Sequence, residues 1–237
     1  MPDTLTGEDP VWPATVPEQG FRAVVFDLDG VIVDSYEVMR KAFSTAYTEV
    51  VGAGEAPFAE YNRHLGRYFP DIMRIMGLPL EMEAPFVRES YRLAPEVPVF
   101  DGVAEMLREL RRRGIPTAVA TGKAGERARA LLRQLGLLPL FDVVIGSDEV
   151  ADPKPAPDMV LRALSVLGAR PEETMMIGDA VTDLQSARGA KVAAVAAVWA
   201  GVDESVLLAA GPDAVLREPA DVLSLCAVPV PAGAGPR

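Results

Sequence analysis

Four short apolar runs each lead into polar residues able to do chemistry. Ala23-Val24-Val25-Phe26 leads into Asp27-Leu28-Asp29-Gly30-Val31, and Thr117-Ala118-Val119-Ala120 into Thr121-Gly122-Lys123. Asp142-Val143-Val144-Ile145 precedes Asp152-Pro153-Lys154-Pro155, and Thr174-Met175-Met176-Ile177 leads into Gly178-Asp179-Ala180-Val181-Thr182-Asp183. One Asp-x-Asp at a strand end is an ordinary turn, because Asp-Gly pairs form turns readily. Four polar clusters in order, each at a strand end, point to one shared site. The residue types suit phosphoryl transfer. A carboxylate can attack phosphorus and split a hard hydrolysis into two easier steps. A hard cation offsets its repulsion with a phosphate, and magnesium (Mg2+) accepts carboxylate and carbonyl oxygens. A lysine and a hydroxyl can hold the remaining phosphoryl oxygens, and a second carboxylate can shuttle the proton.

The elements that must position these groups alternate between strand and helix. The four runs, with Val192 to Val198 and Ala214-Val215-Leu216, are apolar on both faces, as parallel strands under helices require. Helical stripes lie between them: Val103, Met106, Leu107 and Leu110; Ala128, Leu131, Leu132 and Leu135; Val160, Leu161, Leu164 and Leu167. Gly114, Gly136 and Gly168 follow the stripes as expected left-handed caps. This alternation predicts an α/β fold with a doubly wound parallel sheet, whose ligands bind beyond the carboxyl ends of the strands. Residues 35–98 break the pattern. They read as helices over Tyr36 to Val51, Pro57 to Leu65, Phe69 to Met76 and about Met82 to Leu93. The expected organisation is an arm (1–20), a core (21–34 and 99–226), an inserted helical cap (35–98) and a tail (227–237).

Composition narrows the partners. The chain has 237 residues and a net charge of −11, which disfavours nucleic acid and anionic lipid. Cys226 is the only cysteine, so no intramolecular disulfide can form, as suits a reducing compartment. The first twenty residues lack a basic start and apolar stretch, and the run Val192 to Val202 is too short to span a bilayer. The expectation is a cytoplasmic monomer acting on a small phosphorylated metabolite.

The four clusters resemble the motifs of the haloacid dehalogenase (HAD) superfamily. The resemblance covers the whole Rossmann-like core, and the placement of the insert is similar to subclass I members with a helical C1 cap. Phosphoglycolate phosphatases and β-phosphoglucomutase are such members. It implies Asp27 as nucleophile and Mg2+ ligand, and Asp29 as general acid/base with its backbone carbonyl on the metal. It implies Thr121 and Lys154 as the phosphoryl-binding pair, with Gly122 and Lys123 beside them. Asp179 is the implied acidic metal ligand, and Asp183 a ligand or its support. Many relatives carry serine where this chain has Ala180, which removes one hydrogen bond near the metal but no essential group.

In the insert, the stretch Tyr61-Asn62-Arg63-His64-Leu65-Gly66-Arg67 through Met76 resembles the cap of phosphatases linked to 3-amino-5-hydroxybenzoate (AHBA) synthesis in ansamycin clusters. That implies a sugar or amino-sugar phosphate as substrate; phosphoglycolate phosphatase-like activity is the alternative. Arg67 is the preferred specificity residue. For His64, the only histidine, a structural role weighs more than substrate contact. Arg111-Arg112-Arg113 reads as a solvated helix end, Trp199 as a packing residue and Cys226 as a small core residue. Dehalogenation would not need Asp29 or the metal acids. Mutase relatives carry a cap histidine where this chain has Met39, and phosphonate hydrolysis needs a cap lysine that the helical context of Lys41 does not single out. A non-catalytic binding module would be expected to lose a charged motif, and none is lost.

Overall fold

The computed structural model describes residues 17–64, 66–201 and 203–228. Six strands form one sheet: β1 (Ala23–Phe26), β2 (Thr117–Thr121), β3 (Val143–Gly146), β4 (Thr174–Gly178), β5 (Ala193–Ala197) and β6 (Ala214–Leu216). Their order is β3-β2-β1-β4-β5-β6, and every neighbouring pair is parallel. The chain order reverses at β1, so β2 and β4 flank it. In such sheets the crevice at this reversal is where ligands bind. The strands are buried on both faces, which explains their continuous apolar runs.

Helices cover both faces. On one side α5 (Val103–Arg112) and α6 (Gly125–Gln134) pack with the short C-terminal α10 (Val222–Leu225) over Phe26, Val119 and Ile177. On the other side α7 (Asp158–Leu167), α8 (Val181–Gly189) and α9 (Glu204–Ala209) pack over Val25, Ala118 and Met176. The small residues Ala118, Ala120, Ala194 and Ala196 let α7 and α8 approach that face closely. Gly114, Gly136 and Gly168 end the helical segments with left-handed backbones, as the stripes predict. One stripe residue is corrected: Leu161 points outward at 46% exposure. The buried face of α7 is instead Met159, Val160, Ala163 and Leu164, and Leu161 lies about 100° around the helix from Val160.

The insert folds as α1 (Tyr36–Val50), α2 (Phe58–Asn62), α3 (Phe69–Met76) and α4 (Glu83–Leu93), with its own core. That core is aromatic where the sheet's is aliphatic. Phe43 stacks on Tyr61 with ring centroids 4.6 Å apart, and Phe69 on Phe86 at 4.2 Å. Such contacts add about 0.5–1.5 kcal/mol each beyond area burial, which helps a small helical unit with little core volume. Helix α2 is shorter than expected: the chain leaves it at Arg63, so His64 sits in a turn.

The expected loose arm and tail fall mostly outside the described residues, at 1–16 and 229–237. Their described ends are tied down. Gly20 N donates to Pro17 O at 2.7 Å, and Ala227 N to Phe21 O at 2.8 Å. Among the described residues, no helix is long and apolar enough to cross a membrane.

Candidate active site

The ends of β1, β2 and β4 and the loop after β3 bring their polar residues to one edge of the sheet. Asp27 follows β1 directly, and its N–H still donates to Ile177 O of β4 at 2.9 Å. That bond fixes the carboxylate between two parallel strands. Lys154 reaches it from the loop before α7. Its side chain is wholly buried, with Nζ 2.9 Å from Asp27 Oδ1 and 2.6 Å from Asp183 Oδ1. Asp183, also buried, is held from the other side by Ala180 N at 3.1 Å. This is the start of α8, where an acid also complements the helix dipole.

Asp27, Asp179 and Asp183 each place a carboxylate oxygen within 4.8 Å of the others. Gly30 permits this crowding. Its backbone is left-handed (φ +80°), and a Cβ there would lie 1.8 Å from Asp179 Oδ2. Three carboxylates against one ammonium leave excess negative charge in a buried space. Burial lifts the Asp27 carboxyl to about 7; Lys154 opposes the rise, and Asp183 and Asp29 add to it. Burial, followed by the charges of Asp27 and Asp183, raises Asp179 well above the usual carboxylate range. Lys154 moves upward: burial opposes its charge, but Asp183 and Asp27 outweigh that. The donor set is all oxygen, anionic and converging, which fits a hard divalent cation such as magnesium.

Asp29 occupies a different environment. Ser35 Oγ donates to its Oδ1 at 2.5 Å, and Lys123 Nζ lies 3.2 Å from its Oδ2. Burial works against the charge, yet Lys123 and then Ser35 hold the carboxyl below its ordinary value. Two carboxylates two residues apart are therefore pushed in opposite directions. Thr121 ends β2, buried, with Oγ1 accepting from Lys123 N at 3.2 Å. Its hydroxyl proton stays available for a phosphoryl oxygen.

The cap closes over this edge. A cavity with about 30 Å³ of space open to water centres runs between Asp27, Asp29, Thr121 and Asp179 below and Tyr61, Arg67 and Phe86 above. The cap loop seats on Gly122, where a Cβ would lie 2.6 Å from Gly66 O and 2.7 Å from Arg67 O.

The structure thus gathers Asp27, Asp29, Thr121, Gly122, Lys123, Lys154, Asp179 and Asp183, with Arg67 on the cap side. His64 does not line the cavity; its Nε2 lies 3.2 Å from Glu60 Oε1 on the cap surface. Met39, at the mutase histidine position, lines the cavity, and Lys41 pairs outside with Glu96 at 2.8 Å. Trp199 donates to Val31 O at 3.1 Å and packs on the core. Arg112 and Arg113 bind Glu109, and Cys226 is buried with its thiol pushed up to about 12. Sequence reasoning missed two groups. Ser35, at the start of α1, orients Asp29. Arg127, on α6, is buried in the cavity wall. Both are single residues outside any strand-end cluster, and only tertiary packing, of α1 for Ser35 and of α6 on the sheet for Arg127, brings them to the site.

With this geometry in place, the comparisons are specific. Residues 21–191 match the family model for haloacid dehalogenase-like hydrolases. The chain belongs to that family. Among curated relatives, it is 37% identical over 203 residues to a Dickeya dadantii protein named "Probable phosphatase IndB", covering 81% of this chain and 88% of that one. It is 30% identical to the phosphoglycolate phosphatase of Chromobacterium violaceum, covering 86% and 96%. A hydrolase from Pseudomonas syringae shares the fold with a TM-score of 0.75 and 24% identity, over 85% of this chain and 96% of that one.

Proposed function

We propose that this hydrolase is a magnesium-dependent phosphatase that cleaves a small phosphomonoester through an aspartyl-phosphate on Asp27. The observation that carries the reading is the wholly buried Lys154, paired with Asp27 and Asp183 beside Asp179. A structural ion pair needs no second and third carboxylate, and burying them costs stability. Asp27, Asp179 and Asp183 would hold the cation, with the Asp29 carbonyl added by family resemblance. The cation would neutralise charge where nucleophile and phosphate meet.

This chain's residues supply the remaining steps. Thr121 and Lys154 bind the transferring phosphoryl group, and Lys154 stabilises charge on its oxygens. Asp27 attacks phosphorus as the ester oxygen leaves. Asp29 donates a proton to that oxygen, then takes one from the water that cleaves the acyl-phosphate. Lys123 and Ser35 favour the ionised Asp29 that takes the water's proton in the second step; for the first step it takes a proton from solvent while the cap is open. Cap closure on Gly122 excludes bulk water during attack, and opening releases the alcohol.

Met39 in place of the mutase histidine favours hydrolysis over phosphoryl return to a second hydroxyl. The AHBA-type cap sequence favours a sugar or amino-sugar phosphate, and a role in antibiotic biosynthesis. A phosphoglycolate-type substrate is the second reading, supported by the relative from Chromobacterium violaceum. The test is phosphate release from phosphoglycolate, hexose phosphates, kanosamine phosphates, nucleotides and an aryl phosphate, with magnesium and then chelator. Chelator-sensitive release with one preferred substrate is expected. Release indifferent to chelator, or dechlorination of 2-chloropropionate instead, would overturn the reading.

A further inference from the structure

Beyond the phosphoryl machinery, one charge in the cavity lacks a hydrogen-bonding partner. Arg127 is nine-tenths buried, and neither its Nε nor its Nη1 has a hydrogen-bond partner among the described residues. Its guanidinium carbon sits 5.2 Å from the centroid of the Phe86 ring of the cap. Asp29, whose charge acts on Arg127, is already engaged by Lys123 and Ser35. A stacked ring satisfies the face of a guanidinium but none of its N–H donors.

Buried arginine is normally paired, because an isolated charge in a low-dielectric wall is strongly disfavoured. Here the strain is held in place. Gly125 N, one turn-start before Arg127, donates to Asp148 Oδ1 at 2.7 Å, which anchors the beginning of α6 to the loop after β3. The side chain lines the cavity that holds Asp27, Asp29, Thr121 and Asp179, and also an adjoining one walled by Val38, Tyr91 and Gln134. Asp27, Thr121 and Lys154 define the phosphoryl end. Arg127 stands on the cap side of the same space, where the alcohol portion of a substrate must lie.

We propose that Arg127 is the specificity residue for the leaving group, and that it selects phosphomonoesters whose alcohol carries an oxyanion, a carboxylate above all. This rests on the phosphatase reading and, within it, sides with an acidic alcohol of the phosphoglycolate type against an amino sugar. A carboxylate completes the empty donors with charge-assisted hydrogen bonds. A neutral hydroxyl completes them less well, and an ammonium is repelled. Among sugar phosphates, Arg127 therefore favours sugar acids over neutral sugars, and neutral sugars over amino sugars.

The test uses two matched series on the full chain with magnesium. One is phosphoglycolate, 2-hydroxyethyl phosphate and phosphoethanolamine; the other is glucuronate, glucose and glucosamine 1-phosphates. Within whichever series is turned over, kcat/KM is expected to fall from acid to neutral to amine, with acid over neutral by at least about tenfold. Arg127→Met should lower the acid-to-neutral ratio by about tenfold, to near one, mainly through KM, and Arg127→Lys should restore part of it. A wild-type order that is not acid first, or an Arg127→Met loss equal across a series, would overturn the proposal. Thermal melting gives an independent readout. Removing an unpaired buried cation while keeping an apolar contact to Phe86 should leave Tm unchanged or raised, whereas a purely structural arginine would lower it. If the wild type releases phosphate from nothing, the phosphatase reading fails, and binding of free glycolate, lost in Arg127→Met, still decides for or against the receptor.

Discussion

The two ends of the cavity are built by different means. The proposed phosphoryl end is carried by strand termini and the loop after β3, held by a sheet buried on both faces, and most of its charged groups are paired: Asp27 and Asp183 with Lys154, Asp29 with Lys123 and Ser35. The leaving-group end is carried by α6 and by cap helices whose core is stacked aromatics, and Arg127 there has donors without partners. The difference separates a chemistry that is the same for any phosphomonoester from a recognition that must suit one alcohol. A rigid sheet edge serves the first. A helical unit with its own core suits the second, because its lining can differ without altering the sheet edge.

Breaking the first end should have the largest effect. Asp27→Asn is expected to lower turnover by at least about 10⁴-fold while the protein stays folded, checked by phosphate release and circular dichroism. Near-normal magnesium-dependent activity would remove Asp27 from its role. Lys154→Met should act on stability as well as rate. Taking one partner from a buried ion pair costs about 3–5 kcal/mol, read as a lower denaturation midpoint; a change within error would mean the carboxylates do not depend on it.

The boundary between the two ends can be tested at Gly122. Gly122→Ala would push the Gly66 and Arg67 carbonyls away and keep the cap from seating, with a loss of roughly 100-fold in kcat/KM. A loss confined to kcat with unchanged cap closure, followed by fluorescence, would argue instead for a local effect on Thr121. The charge imbalance predicts a pH effect of opposite sign from ordinary salt-bridged acids. Asp27 is raised from 3.8 to about 7, so the folded state holds a proton that the unfolded chain releases. Its contribution is full below pH 4 and is lost as pH rises through 7. In metal-free protein this decline should vanish in Asp27→Asn and be offset by saturating magnesium, measured by melting across that range. The smallest effect is expected at His64. Its pair with Glu60 is on the cap surface, so His64→Ala should change stability by less than about 0.5 kcal/mol and leave substrate preference intact.

Legibility in the sequence followed the same division. The strand-end residues announced themselves because apolar runs, turn residues and charged groups recur in a fixed order. Parallel strands force those ends to one edge. The helix-ending glycines were readable for the same reason: a left-handed cap leaves a residue-type signature. Leu161 was misassigned because a leucine on the outer face of a helix looks, in sequence, like one on the inner face. His64 and Arg67 were both plausible cap contacts by spacing. The turn after α2 sent His64 toward Glu60 and left Arg67 against the cavity, a choice made by backbone geometry.

Local chemistry along the chain was therefore enough to read the α/β alternation, the helical insert and the strand-end residues that the sheet brings to one edge, since each depends on residue type and short-range spacing. It could not reveal that Asp27 and Asp29 are pushed toward opposite protonation states, that Gly30 and Gly122 make room for a carboxylate and a cap loop, or that Arg127 stands with unclaimed donors. Those facts depend on which groups from distant segments share a buried space, and burial and proximity exist only once sheet and cap have packed.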